Sequence, residues 1–180
     1  MSQLMLKEKS DFNEYVFRSL NKQDVKAAQQ FLLHNLKELY NIEGDYPNSR
    51  DIWQMEEVYL KSPDHTIIGA FDFKGDLVGT IAIRPYDDRI AEVKGRYAQK
   101  KTAELVRCYI DKSLRRKGIG TLLTKEIFKA CAAFKYEMIY LHTHKFLPGG
   151  FNFWQKQGFT ITVDTNDKDE TVHMEKVINY

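Results

Sequence analysis

The sequence predicts an α/β domain in which helices pack against a mixed sheet. β-rich runs at 66–73, 77–85 and 102–110 alternate with segments of helical period at 21–40 and 118–134. A strand, a glycine-bearing turn, a helix and a further short strand succeed one another over 102–143, the order of a right-handed βαβ unit. The chain has 180 residues, 43% of them apolar, with no repeat, linker or low-complexity tract to divide it. That is enough for one domain with a full core.

Taken in order, residues 1–14 are polar, without sustained periodicity, and read as an arm; 15–180 form the single domain. A first strand is expected at 15–20. Asn21 followed three residues later by Asp24 has the spacing of a capping pair, so a helix should start there and run to about Tyr40. Val25, Ala28, Phe31, Leu32, Leu36 and Leu39 recur at three and four, which gives that helix one apolar face. Gly44 and Pro47 mark 41–49 as a loop, and a second helix is expected over 50–60. Lys74-Gly75-Asp76 reads as a three-residue hairpin turn joining the runs 66–73 and 77–85. The charged stretch 86–101 is expected as a surface loop bordering a substrate pocket. After the strand 102–110 and the basic connection 111–117, Ile119, Leu122, Leu123, Ile127, Ala130 and Cys131 set a helix over 118–134. A buried strand at 138–143, a short helix at 148–157 ended by Gly158, and a hairpin of 159–163 with 171–177 close the chain.

Composition removes several classes of function. Lys plus Arg is 27 and Asp plus Glu is 25, a net charge of +2, too balanced for a polybasic nucleic-acid or membrane-coating protein. The first residues contain no apolar h-region, and no stretch approaches the roughly 20 apolar residues of a membrane span, so a cytoplasmic location is expected. Two cysteines, Cys108 and Cys131, sit in apolar runs and read as small hydrophobes, which suits a reducing compartment.

The stretch that carries chemistry is Arg115-Arg116-Lys117-Gly118-Ile119-Gly120-Thr121, after a strand and before a helix. The first N–H groups of a helix lack intrahelical acceptors, and the helix dipole adds partial positive charge, so the position attracts phosphate. Glycines at 118 and 120 let a bulky anion approach those N–H groups, and the three basic residues add charge. The turn lacks the third glycine of the dinucleotide fingerprint and the Gly-Lys-Ser/Thr ending of a P-loop. His142 and His144, two apart on a strand, share a face. No acid or cysteine stands at ligand spacing beside them, and no metal is expected.

The run from Glu104 to Gly120 resembles the acetyl-CoA motif of the GNAT superfamily of N-acetyltransferases: Arg115, Gly118 and Gly120 match its Arg/Gln, two residues, Gly, one residue, Gly/Ala pattern after a strand. Downstream, Phe153 to Phe159 is similar to the family's second cofactor motif, an aromatic-rich helix ending in Gly-Phe, and Thr171 to Ile178 to its closing strand. The resemblance implies a mostly antiparallel sheet of six to seven strands, splayed between the fourth and fifth, with helices on both faces and the acetyl-pantetheine arm in the gap. It implies that the backbone of Cys108, Tyr109 and Ile110 contacts the pantetheine and polarises the thioester carbonyl. Amides of Arg115, Arg116, Lys117, Gly118, Ile119, Gly120 and Thr121 would hold the pyrophosphate, and Phe153 and Trp154 would border the cofactor.

An amine of pKa roughly 10 is protonated at neutral pH and needs a base before it can attack a thioester. Glu104, six residues before Ile110, matches the general-base glutamate of the family's histone-acetylating members. Trp154 stands where many members place an acidic tyrosine, Leu147 where they place asparagine, and Gly150 where they place alanine. Tyr109 and His144, with Tyr140, His142 or water, are the substitute acids. The expected function is therefore transfer of an acetyl group from acetyl-CoA to the amine of a small molecule or peptide, without nucleic acid or membrane and with a homodimer left open. A non-catalytic acyl-CoA sensor of the same fold is the alternative.

Overall fold

A computed structural model describes residues 14–41 and 49–179 of the chain. Seven strands form one sheet in the order β1-β2-β3-β4-β5-β7-β6: β1 Val16–Ser19, β2 Thr66–Phe71, β3 Leu77–Pro85, β4 Thr102–Ile110, β5 Met138–His144, β6 Thr160–Asp164 and β7 Thr171–Val177. Every neighbouring pair is antiparallel except β4 and β5. That parallel ladder joins only Thr102, Ala103 and Glu104 to Met138, Ile139 and Tyr140. Beyond it the two strands run on unpaired with each other to Ile110 and His144, so the sheet is split along that seam.

Helices α1 Val25–Tyr40 and α2 Arg50–Trp53 cover one face, and α3 Ile119–Ala133 the other. β3 is buried on both sides, which is why it reads as an unbroken apolar run. Along it Ile81 and Ile83 pack with Leu123 and Ile127 of α3, while Ala82 between them packs with Leu32 and Leu36 of α1. Each such aliphatic burial contributes about 1.5–3 kcal/mol. A fourth helix, α4 Gly150–Lys156, ends at Gly158, whose φ of +86° suits glycine.

The capping pair is present. Asn21 accepts from the Gln23 N–H at 2.8 Å, and Asp24 accepts from the Asn21 N–H at 2.8 Å, over a 3₁₀ turn that leads into α1. Asn21→Ala is expected to lower unfolding free energy by about 1 kcal/mol, measured by urea titration, because the Gln23 N–H loses its acceptor.

Two boundaries differ from the sequence expectation. The helix expected over 50–60 is α2 followed, after Gln54, by a π-helical turn at Glu56–Leu60. Ile52, Met55 and Tyr59 are all buried, and their spacing suits either helix type. β2 stops at Phe71 because the Asp72 carboxylate accepts from the N–H groups of Lys74 and Asp76 and turns the chain early. Phe73, expected in the strand, is 78% exposed. Residues 42–48 of the expected loop and 1–13 of the expected arm lie outside the described residues.

Candidate active site

The basic turn begins where β4 ends. Asp111 caps a 3₁₀ turn over Lys112–Leu114 by accepting from the Ser113 N–H and hydroxyl at 2.9 and 2.6 Å. Arg116 and Gly118 then take positive φ, 66° and 83°. Left-handed residues interspersed in a turn direct successive N–H groups into one concavity, an arrangement that receives anions. The helix bonds start with Leu122 N–H to the Gly118 carbonyl, so the N–H groups of Ile119, Gly120 and Thr121 have no acceptor within α3. A side chain at Gly120 would place its Cβ 3.3 Å from the Phe153 ring of α4. A cavity of about 440 Å³ opens beside the turn, between His34 and Glu38 of α1, Lys112, Arg115 and Phe146. Free amides, basic side chains and open space together fit a diphosphate. A larger cavity, about 570 Å³, lies at the β1–β2 edge, away from the basic turn.

One wall of the split is β4. Its ladder to β3 slips between Ala82↔Val106 and Thr80↔Tyr109, and the extra residue there, Arg107, has φ +55°. The bulge is held from both sides. Thr80 donates its hydroxyl to the Arg107 carbonyl at 2.8 Å, and the Arg107 guanidinium donates to Asp51 of α2 at 2.8 and 2.6 Å. Tyr59 completes the cluster with an O–H to Asp51 at 2.6 Å. Burial opposes ionisation of Asp51, but the Arg107 and Tyr59 bonds hold its carboxyl below the usual range. Past the bulge, Tyr109 packs toward α1 and α2, while Cys108 and Ile110 pack toward α3. Burial pushes the Cys108 thiol up to about 12, so it is no nucleophile at neutral pH.

Glu104 stands at the bottom of the split and is fully buried. Arg84, its register partner on β3, donates to Oε2 at 2.9 Å. Arg89 grips both oxygens, Oε2 at 2.9 Å and Oε1 at 2.6 Å. Thus the residue expected as the base has no exposed surface, and both its oxygens accept from guanidinium groups.

The other wall is β5, backed by β7. Tyr140, Glu104's register partner, is buried and shares a 2.8 Å hydrogen bond with His173 Nδ1. Burial first, then the Glu104 charge, push the phenol's pKa up, so Tyr140 keeps its proton. Burial also pulls His173 down, so the ring is neutral. That buried Nε2 has no partner among the described residues. His142, paired across the ladder with His173, follows, and then His144. His144 donates Nδ1–H to the Asp169 carbonyl at 2.8 Å, stacks on Phe146 at 5.3 Å and meets Tyr40 of α1 edge-on at 5.9 Å.

A family model, described as "Acetyltransferase (GNAT) family", matches residues 33–159. The chain belongs to the GNAT acetyltransferase family. By that membership it is an N-acetyltransferase, and no curated protein matches its sequence. Among solved structures it is similar to a GNAT-family acetyltransferase of Staphylococcus aureus Mu50, at 19% identity and TM-score 0.74 over 92% of this chain and 99% of that one. It is also similar to the PaiA N-acetyltransferase of Thermoplasma acidophilum in complex with coenzyme A, at 23% identity and TM-score 0.64 over 91% and 98%. A third is the spermidine N-acetyltransferase of Vibrio cholerae in complex with CoA and spermine, at 14% identity and TM-score 0.66 over 92% and 96%. At these identities the structures show a shared fold.

Within this GNAT domain, Cys108–Ile110, the turn at 115–121 and Phe153 lie around one end of the split. Trp154, expected to border the cofactor, packs inward. It is 6% exposed in the main core, its ring against Phe153 and Phe159 at 4.8 and 5.4 Å, which leaves little surface for a ligand. Gly150 has a local reason to differ from alanine, because a Cβ there would stand 2.9 Å from the Thr143 hydroxyl. Tyr109 and His144 are on opposite walls. Sequence reasoning missed Arg84, Arg89, Arg107, Tyr40 and His173. Arg84 had a readable signal, a charge at the end of an apolar strand; the other four depend on partners distant in sequence.

Proposed function

We propose that this chain moves the acetyl group of acetyl-CoA to a primary amine by direct transfer. The observation that carries the reading is the β4–β5 ladder ending at Glu104 and Tyr140, with the phosphate-accepting turn at the far end of the same strand. In this reading the amides of 115–121 and the side chains of Arg115, Arg116 and Lys117 hold the diphosphate. The backbone at Cys108, Tyr109 and Ile110 lines the pantetheine arm, and Phe153 supports the turn from behind. Acetyl-CoA supplies a thioester; the chain's residues position it, exclude water and manage protons. Glu104 enters as the fixed negative charge at the bottom of the split. With Arg84 and Arg89 on its oxygens, it acts on the amine's proton through an intervening group.

The acceptor class is a small-molecule or peptide amine, reaching the split from the α1–α2 side. Two measurements test the function. Calorimetric titration with coenzyme A should give a saturable heat. Free thiol should then be released from acetyl-CoA with at least one of spermidine, lysine, an aminoglycoside and a peptide bearing a free α-amino group. Saturable binding with no thiol released over the whole panel would turn the reading to an acyl-CoA sensor, and absence of binding would remove both.

A further inference from the structure

We infer that His142 on β5 is the group that takes the proton from the acceptor amine and returns a proton to the departing sulphur. This rests on the acetyl-transfer reading above and names a residue for the step left open there.

Glu104 pairs with Tyr140 in the parallel ladder, so two residues farther on His142 stands opposite Val106 and the Arg107 bulge, just past the point where β4 and β5 part. Tyr140 and His142 lie on the same face of β5, the face on which Glu104 lies on β4. Glu104 is enclosed, whereas the His142 side is open: the residue is exposed even though its ring is flanked by protein. Among the described residues neither ring nitrogen of His142 has a hydrogen-bond partner, which distinguishes it from His144 and His173. Its ring is steadied by three others, Tyr140 at 6.4 Å, His144 at 6.2 Å and His173 at 6.1 Å. A second observation points to a ligand here. The cross-strand partner His173 is 3% exposed and carries the orphaned Nε2 on the same face. An unpaired buried polar atom costs free energy unless a bound group or water satisfies it.

The charge environment favours return of the proton to sulphur, whereas its uptake from the ammonium is the uphill half of the task. Desolvation of its ring lowers the His142 pKa, so the resting ring is neutral with a lone pair available. The groups that bear on it are Glu104 on β4, which favours the charged ring, and Arg89 of the 86–101 loop, His144 on β5 and His173 on β7, which disfavour it. An imidazolium formed in such a place gives its proton up readily.

The ammonium passes one proton to an imidazole nitrogen of His142. The freed nitrogen pair forms a C–N bond to the thioester carbon, and the C=O π pair moves onto oxygen. That pair returns, the C–S bond breaks, and sulphur leaves with the bonding electrons and takes the proton held by His142. The second excess N–H proton goes to water, so one ammonium and one thioester give one amide, one thiol and one proton. This also removes the need for an acid at Trp154.

His142→Gln and His142→Ala are to be compared with the unaltered chain on whichever amine of the panel releases thiol from acetyl-CoA. His142→Gln should lower kcat by roughly 100-fold, the usual worth of a positioned base. The KM for acetyl-CoA and calorimetric affinity for coenzyme A should stay within about twofold, showing a folded, loaded enzyme. Added imidazole should restore turnover to His142→Ala, which leaves a hole, more than to His142→Gln, which fills it. If His142→Gln turns over within about threefold of the unaltered chain, or imidazole restores nothing to His142→Ala, the assignment is wrong and the acetyl-transfer reading stands. If the unaltered chain releases thiol with no amine, the reading and the assignment fall together.

Discussion

Gly118→Asp is expected to weaken coenzyme A binding by roughly a thousandfold, while Gly118→Asn weakens it by no more than about tenfold. Gly118 precedes α3 with φ 83° and ψ −5°, a conformation that asparagine and aspartate adopt more readily than other non-glycine residues. Both are also good residues at a helix start, so both variants should fold. They share shape and differ in one charge. A carboxylate about 4 Å from a phosphate, at the effective dielectric of a partly exposed site, is repelled by about 4 kcal/mol, which is close to three decades of affinity. Calorimetric titration of coenzyme A into each variant measures the difference, and it should shrink as salt is added, because part of the field is exposed to solvent. Equal affinity in the two variants would mean that the diphosphate is not held at this turn.

That turn was legible in the sequence because its parts are contiguous: a strand, three basic residues, two glycines and a helix within twenty residues. The strand over 102–110 was legible to the residue because charged Lys101 and Asp111 bound its apolar run. The walls of the split were not legible. Glu104 meets Arg89 and Arg84 across 15 and 20 residues of sequence, Tyr140 meets His173 across 33, and Asp51 meets Arg107 across 56. Each of these contacts depends on which strands pair and in what register, and apolar periodicity fixes only which face a residue takes. The same limit explains Trp154. Its place in an aromatic helix was readable, but whether that face turned to a ligand or to the core depended on how α4 packs. The 50–60 segment failed for a different reason: buried residues at 52, 55 and 59 look alike in an α-helix and in a helix broken at Gln54.

Asp51→Asn should lower unfolding free energy by about 3–5 kcal/mol, one of the largest stability losses available to a single atom-pair exchange in this fold. Asp51 is 4% exposed and accepts three hydrogen bonds, two from Arg107 and one from Tyr59, and the Arg107 side chain is only 11% exposed. Asparagine would take the Asp51 charge away from that buried guanidinium and turn an amide N–H₂ or a single carbonyl toward three donors. In a domain of this size such a loss moves the melting temperature by roughly 10 °C or more. Tyr59→Phe, which removes one donor and no charge, should cost about 1 kcal/mol and serves as the scale. The pH dependence gives the sign a second check. Arg107 and Tyr59 hold Asp51's folded pKa below its unfolded value of 3.8, so its stabilisation is complete above that value and is lost as pH falls through the folded pKa. The gap between Asp51→Asn and the unaltered chain should therefore be constant from neutral pH to about 5 and close in more acid solution. Urea titrations across that range measure it, and a gap under about 1 kcal/mol at neutral pH would show that the pair is not what ties α2 to β4. Because Arg107 is the bulged residue opposite His142, loosening it should also reduce thiol release at temperatures where Asp51→Asn is still folded, linking the buried ion pair to the shape of the split.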